Sequence, residues 1–160
     1  MMYKKGAKVI YPVYGAGRIT QIYDEKIGAI TEKYYQIEFH DSMISVAVPV
    51  RSSQSLGLRE PLSPNNLRKM LRELKRQVRI TPKLIDQLDE MSKIKLNSGK
   101  IEDAIQLTKI LNAIKKRKLK SKKNLSATEH ELLELSKKFI VEEVRMVLGK
   151  KACDKLIQNL

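Results

Sequence analysis

The first 60 residues alternate apolar and polar positions in short runs, which is the pattern of half-buried β-strands. Gly15 and Gly17 precede the second run and predict a tight bend or a bulge. The predicted strands cover residues 8–11, 18–22, 34–39 and 44–48. Four or five strands joined by short turns favour a small antiparallel barrel, with a closing strand that runs from Val48 into a linker ending near Leu62.

The apolar positions after Leu62 follow the helical period. Ser63-Pro64 and Thr81-Pro82 each place a capping residue before a proline, which predicts two helix starts. The helical spacing that begins at Leu67 continues to Val78, so the first helix is expected to reach that residue. The second helix is expected to end near Ser98-Gly99, and the capping box at residues 126–129 opens a later helix that Gly149 stops. A third helix over residues 101–114 and a tail helix over residues 152–157 complete the set. The fold class is therefore α+β: an N-terminal Tudor/SH3-like small β-barrel followed by a C-terminal basic helical bundle.

The net charge of +14 is unevenly distributed between these two parts. Residues 1–60 contain 8 Lys or Arg and 6 Asp or Glu, whereas residues 61–160 contain 24 and 12. Such asymmetry predicts a polyanionic partner for the helical part and a different role for the β part.

Much of this excess lies in a basic tract, residues 115–123, where seven of nine side chains are Lys or Arg. The charge of a helix C-terminus accounts for the tract only as far as Lys118. Contact with nucleic-acid phosphates is the preferred interpretation, since seven like charges repel one another unless an anion compensates. A merely solvated segment and a membrane-surface patch are the alternatives.

Few residues suggest other chemistry. Cys153 is the only cysteine and fits a small buried residue of the terminal helix. His40 and His130 are far apart with no nucleophile motif beside them, so neither an enzyme nor a metal or cofactor site is expected. Without a secretory signal or an apolar run of about 20 residues, a cytoplasmic location is expected and no membrane partner.

The tyrosines of the β part allow two interpretations. Tyr11, Tyr14, Tyr34 and Tyr35 could form an aromatic cage for a methylated ligand. Alternating aromatic residues in strands are more often core residues or cross-strand pairs. A more plausible partner surface is an exposed strand edge, which can add a strand from another protein.

The stretch GAKVIYPVYGAGRITQI (residues 6–22), followed by Val48-Pro49-Val50 and then by residues 56–59 (LGLR), resembles the CarD/CdnL family of bacterial RNA polymerase-binding regulators. The helical part adds residues 96–99 (LNSG) and 125–129 (LSATE), so the resemblance covers nearly the whole chain. Transcription-repair coupling factors share the barrel, and the C-terminal helices distinguish the stand-alone regulators.

The resemblance implies two domains with separate partners: a polymerase-interacting domain over residues 1–60 and a DNA-binding domain over residues 61–160. In the family, the barrel docks on the lobe of the polymerase β subunit by strand pairing, and the helical domain contacts promoter DNA upstream of the melted region. The docking residues implied by motif position are Glu25, Lys26, Val46, Ala47 and Val48. A nucleoid-associated monomer that modulates the lifetime of the open complex is the resulting expectation.

Several family side chains are replaced in this chain, including basic residues at the positions that are here Asp86, Gln87 and Leu88. The tryptophan that wedges into the minor groove corresponds to Ile85, which could be an apolar wedge or a core residue. An arginine common before Val48-Pro49 corresponds to Ala47. We therefore expect DNA binding to depend on phosphate contacts rather than on a wedge. The candidate DNA-binding residues are Ile85, Lys115, Lys116, Arg117, Lys118, Lys120, Lys122, Lys123 and His130.

Two other functions remain open on sequence grounds. One is a nucleic-acid-binding module, for RNA or non-specific DNA, that makes no polymerase contact. The other is a protein-only adaptor in which the basic tract is incidental.

Overall fold

The computed structural model describes residues 2–40 and 42–160. The chain divides into two compact units, with the boundary between Pro61 and Leu62. The first unit contains the strands and the second contains the helices, as the α+β prediction requires. The α+β fold class is therefore confirmed.

The N-terminal unit is a four-stranded antiparallel sheet bent into a half-barrel, with the strands in sequence order. The strands are β1 (Lys8–Tyr11), β2 (Gly15–Ile27), β3 (Ile30–Phe39) and β4 (Ser45–Pro49). All four sequence-predicted strands are confirmed, but β2 and β3 are longer than predicted and form a hairpin that turns at Gly28. The extra length has less apolar alternation because it lies beyond the buried core.

One face of the sheet is buried in the core of this unit. Tyr35, Ile37 and Phe39 project to that face, as their alternation predicted, and pack against Val9 and Ile19. The predicted bend before the second run is also confirmed, because Gly15 has a φ of 80°. At Gly17 a Cβ would lie 2.8 Å from the carbonyl oxygen of Glu38, so only glycine allows β2 to pass this close to β3.

The predicted closing strand after Val48 is wrong. Strand β4 ends at Pro49, and residues 50–57 form consecutive turns instead. In these turns Ser53 donates its hydroxyl proton to the Val50 carbonyl at 2.8 Å. Because such side-chain bonds compete with strand ladders, the serine-rich run favours turns over extended backbone.

The C-terminal unit contains six helices. They are α1 (Pro64–Arg72), α2 (Pro82–Asp86), α3 (Leu88–Asn97), α4 (Ile101–Lys120), α5 (Ala127–Leu148) and α6 (Lys150–Ile157). The predicted starts at Ser63-Pro64 and Thr81-Pro82 are confirmed, and both capping side chains accept a backbone N–H. The capping box at Ser126 and Glu129 is confirmed as well.

Three predicted helices differ from the structure. The predicted second helix is broken at Gln87, where α2 ends and α3 begins. The first helix does not reach Val78: it tightens to a 3₁₀ turn at Glu73–Lys75 and then becomes extended. The third helix, α4, runs six residues past Ile114 to Lys120, so most of the basic tract is helical rather than flexible. Lysine and arginine are good helix formers, which explains why the charge run continues the helix.

The helical core lies between α3, α4 and α5. Leu88, Leu107, Leu111 and Leu133 are among its buried residues. A buried hydrogen bond from the Thr108 hydroxyl to the Ser136 hydroxyl, at 2.9 Å, joins α4 to α5. Cys153 is fully buried on α6, as predicted.

Glu143 is a buried carboxylate on α5 that the sequence did not single out. Its Oε1 accepts the backbone N–H of Leu62 at 2.9 Å. This hydrogen bond holds the first residue of the helical unit against α5. None of the helices in the described part of the chain is long and apolar enough to span a bilayer.

Candidate partner-binding edge and nucleic-acid-binding surface

The two edges of the sheet differ in their hydrogen bonding. At the β1 edge, Ile10 exchanges two backbone hydrogen bonds with Arg59, at 2.8 and 3.0 Å. At the other edge, β4 pairs only with β3 in the strand order of the described residues. An edge strand of this kind can accept a strand from another protein.

The register identifies which β4 groups point away from β3. The Val50 N–H bonds to the Lys33 carbonyl at 2.8 Å, and hydrogen-bonded and non-hydrogen-bonded pairs alternate in an antiparallel ladder. The pairs of Ala47 with Gln36 and of Pro49 with Tyr34 are therefore the non-hydrogen-bonded ones. The N–H and carbonyl of Ala47 consequently face the free edge. Pro49 fits the same scheme, because proline is tolerated where its missing N–H would face solvent.

The five candidate docking residues are divided between two faces of the sheet. Val46 and Val48 turn toward the core, and Val48 is only 1% exposed, so these two can offer little but backbone. Ala47 is exposed on the opposite, outer face. Glu25 is on that outer face too, opposite Glu32, whereas Lys26 lies opposite Thr31 on the core-facing side.

The basic tract is an ordered helix end. The Lys123 N–H bonds to the Lys118 carbonyl and the Lys122 N–H to the Leu119 carbonyl, at 2.9 and 3.0 Å. These two bonds, with Lys122 at a φ of 55°, form a Schellman motif that ends α4. Glycine usually occupies the position of Lys122, so a lysine there holds a strained backbone conformation.

Six cations of the tract are exposed and one is not. Lys118 is the exception: its Nζ lies 2.6 Å from Glu129 Oε2 on the first turn of α5. The same carboxylate accepts the Ser126 N–H at 2.8 Å as part of the capping box. The exposed cations are Lys115, Lys116, Arg117, Lys120, Lys122 and Lys123.

The electrostatics of Glu129 follow from this geometry. Burial opposes its charged form, but the hydrogen bonds from Lys118 and Ser126 outweigh burial and lower the pKa of Glu129. The carboxylate therefore stays ionised and holds Lys118 toward α5. Sequence analysis identified Glu129 as a capping residue but missed this contact, because nothing in the spacing shows which lysine turns inward.

Lys116 and Lys120 are four residues apart on α4 and lie on one exposed helix face. Like charges at this spacing destabilise a helix, so a bound anion would relieve the repulsion. His130 is exposed on the first turn of α5, the turn that Glu129 joins to α4.

Ile85 is not a core residue, so that interpretation is wrong. It is 40% exposed on α2, while Leu84 and Leu88 on either side of it pack into the core of the helical unit. An exposed aliphatic side chain at this position is compatible with contact to a partner.

Acidic, histidine and cysteine side chains form no group of three or more suited to a metal ion within residues 2–40 and 42–160. What the described surfaces offer is hydrogen-bonding backbone at β4 and positive charge at the end of α4. These are the features of binding surfaces.

The chain is similar to known proteins in two comparisons. Residues 3–60 match the model of the CarD-like/TRCF RID domain. The chain is also similar to "Putative transcription factor YdeB" of Bacillus subtilis (strain 168), with 23% identity over 150 residues, which cover 92% of this chain and 94% of that protein. The resemblance drawn from the sequence is thereby confirmed. The N-terminal unit is similar to the CarD-like/TRCF RID domain over nearly its whole length, and the two matches together support the CarD-like family for the chain.

Proposed function

We propose that this protein is a transcription regulator that binds the RNA polymerase β subunit through β4 and promoter DNA through its helical unit. It would thereby change the stability of the open complex. Support for polymerase docking comes from the β4 edge, which has no paired strand among the described residues and carries the outward N–H and carbonyl of Ala47. The unit also matches an RNA polymerase-interacting domain. The relative named as a transcription factor supports the same role.

The charge of the helical unit supports the DNA contact. The six exposed cations lie within nine residues at the end of α4, where the helix and its Schellman turn fix the backbone that carries them. Cations held in this way suit phosphates, which position a protein on DNA but carry no sequence information. Neutralising about five phosphates gives a slope of roughly −4 to −5 for log affinity against log salt.

A second candidate function is a nucleic-acid-binding module without polymerase contact. The like-charged pair of Lys116 and Lys120 favours an anionic partner regardless of what β4 binds. Measuring the two partners separately distinguishes the functions.

The polymerase contact is tested by removing one outward donor from β4. Ala47→Pro deletes the N–H that faces the free edge, in a position where proline leaves the ladder to β3 intact. We expect this variant to lose most of its binding to purified RNA polymerase core enzyme in a pull-down. Ala47→Ser changes the side chain but keeps the donor, and should retain most of the binding. Equal capture of both variants would contradict strand pairing at β4.

The DNA contact is tested by substituting Lys116, Lys120, Lys122 and Lys123 with glutamine. Binding to a promoter duplex should fall strongly, and the salt slope should flatten by about one unit for each phosphate that the protein no longer neutralises. A matched control replaces an equal number of exposed lysines elsewhere in the helical unit: Lys69, Lys75, Lys83 and Lys93. Equal losses of affinity in the two variants would mean that net charge, not the end of α4, determines binding.

A further inference from the structure

The β2–β3 hairpin extends beyond the rest of the sheet. Strand β4 ends at Pro49, opposite Tyr34, while β2 and β3 continue to their turn at Gly28. We call residues 23–34 the hairpin arm. The arm has two faces, and the outer face is the one that does not lead into the core.

Three cross-strand pairs form the outer face of the arm. Tyr23 and Tyr34 stack with ring centroids 5.9 Å apart. Glu25 then lies directly opposite Glu32, and Ile27 opposite Ile30 at the tip. The two isoleucines are 57% and 69% exposed, which leaves an aliphatic tip uncovered.

The acidic pair is unfavourable in the free protein, because like charges directly opposite each other destabilise a sheet. Its nearest neighbours on the outer face are the tyrosines and isoleucines, and none of them is a cation. The ion pair of Lys33 with Asp24, at 2.8 Å, lies on the other face of the arm.

The charge of this pair acts on its neighbour Tyr34. The Tyr34 hydroxyl lies 3.4 Å from Glu32 Oε2. Burial, followed by the charges of Glu32 and Glu25, raises the pKa of Tyr34 above its ordinary value. The outer face therefore has a negatively charged patch at Glu25 and Glu32, which lies between the stacked tyrosines and the two isoleucines of the tip.

This face is continuous with the β4 edge. Ala47 pairs with Gln36, and Pro49 pairs with Tyr34. Paired residues share a face of the sheet, so both β4 residues lie on the same outer face as Glu25 and Glu32. A protein strand added beside Ala47 would bring its neighbouring residues toward the arm.

We propose that the outer face of the hairpin arm binds a basic side chain of the polymerase lobe, an arginine or lysine flanked by aliphatic residues. Glu25 and Glu32 together receive the cation, with Tyr34 as a stacking surface and Ile27 and Ile30 as apolar contacts. The proposal rests on the proposed function, since the partner is the polymerase that β4 docks on. The proposal predicts that the surface of the polymerase lobe that faces the hairpin arm is positively charged.

Reversing the charge of one residue tests the proposal. Glu25→Lys places a cation opposite Glu32, which removes the like-charge pair without changing the core. We expect affinity for RNA polymerase core enzyme, measured with the full chain at about 50 mM salt, to fall about tenfold or more. The thermal unfolding midpoint of the free chain should rise or stay unchanged. A fall in affinity without a fall in stability separates a partner contact from a structural role.

A matched control is Asp24→Lys, which makes the same reversal of an exposed charge on the same strand but on the other face. It should alter polymerase affinity less than twofold. If the Glu25→Lys variant binds polymerase as tightly as the unsubstituted chain, or more tightly, the proposal of a basic partner side chain is overturned. The proposal that β4 docks on polymerase would remain. Failure of the unsubstituted chain to bind polymerase would overturn both proposals.

Discussion

Lys118 differs from the other cations of the basic tract, because its charge is already used within the protein. Its ammonium lies 2.6 Å from Glu129, with side-chain exposures of 32% and 14% for the two partners. Removing either residue should therefore affect folding more than DNA binding. Lys118→Met and Glu129→Gln, alone and combined, form a double-mutant cycle for this pair.

The expected coupling energy lies between two limits. Fully exposed ion pairs contribute about 0.2–1 kcal/mol, whereas breaking a buried pair costs about 3–5 kcal/mol. A lysine that is about one-third exposed and bonded to a largely buried carboxylate falls near the lower limit, so about 1 kcal/mol is expected. Glu129→Gln keeps an oxygen for the Ser126 N–H, so the capping bond contributes little to the difference.

Urea unfolding of the four proteins, monitored by circular dichroism, gives the coupling energy. Duplex binding by Lys118→Met and Lys116→Met gives the second readout. Both substitutions remove one charge, but only Lys116 is exposed and unpaired with Glu129. The substitution at position 116 should weaken DNA binding more. A coupling energy near zero, or equal loss of DNA binding in the two variants, would refute the reasoning.

Three further predictions follow from individual contacts. Gly17→Ala should lower the free energy of unfolding by about 1–3 kcal/mol in urea titrations, because the new Cβ meets Glu38, Ile37 and Phe39 atoms within 3 Å; unchanged stability would contradict the close approach of β2 and β3. Lys122→Gly should raise the free energy of unfolding by up to about 1 kcal/mol, since glycine accepts a φ of 55° without strain. The same substitution removes a cation, so the slope of log DNA affinity against log salt should flatten. A destabilised variant would argue against the Schellman turn. Asp103 on α4 accepts a hydrogen bond from Lys95 at 2.9 Å. Burial opposes its charged form, but the hydrogen bonds from Lys95 and Ser98 outweigh burial and lower the pKa of Asp103, as those from Lys118 and Ser126 do for Glu129. The stability that the two carboxylates contribute is therefore present above about pH 5 and lost as pH falls through their lowered pKa values. Glu129→Gln combined with Asp103→Asn should reduce the acid sensitivity of the thermal midpoint, and an unaltered pH profile would count against both assignments.

Patterns that are local in sequence predicted much of the fold. Alternation located the four strands, and the caps at Ser63, Thr81 and Ser126 located three helix starts, since each depends on neighbouring residues. The predicted first helix was too long, because the apolar stripe continues to Val78 whereas the helical backbone ends with the 3₁₀ turn at Glu73–Lys75. Val78 reaches the core from extended chain, which spacing alone cannot reveal.

The candidate surfaces depended on contacts between distant residues and were less predictable. Composition showed the basic tract, but only the fold shows that Lys118 turns to Glu129, eleven residues away. Likewise, Glu25 was named from motif position, whereas its partner Glu32 is set by the hairpin register. The bridge of Ile10 with Arg59 spans 49 positions and has no signal in either segment.

That bridge limits how the protein can assemble. A sheet with two open edges can add strands on both sides, and repeated addition builds an open-ended fibre. Arg59 occupies the β1 side, so β4 is the edge left for an incoming strand in the described sheet. Two copies that met through β4 would close as a pair, with no edge left for a third. Strand addition at β4 would thus have a stoichiometry of one to one, and growth would terminate after a single step.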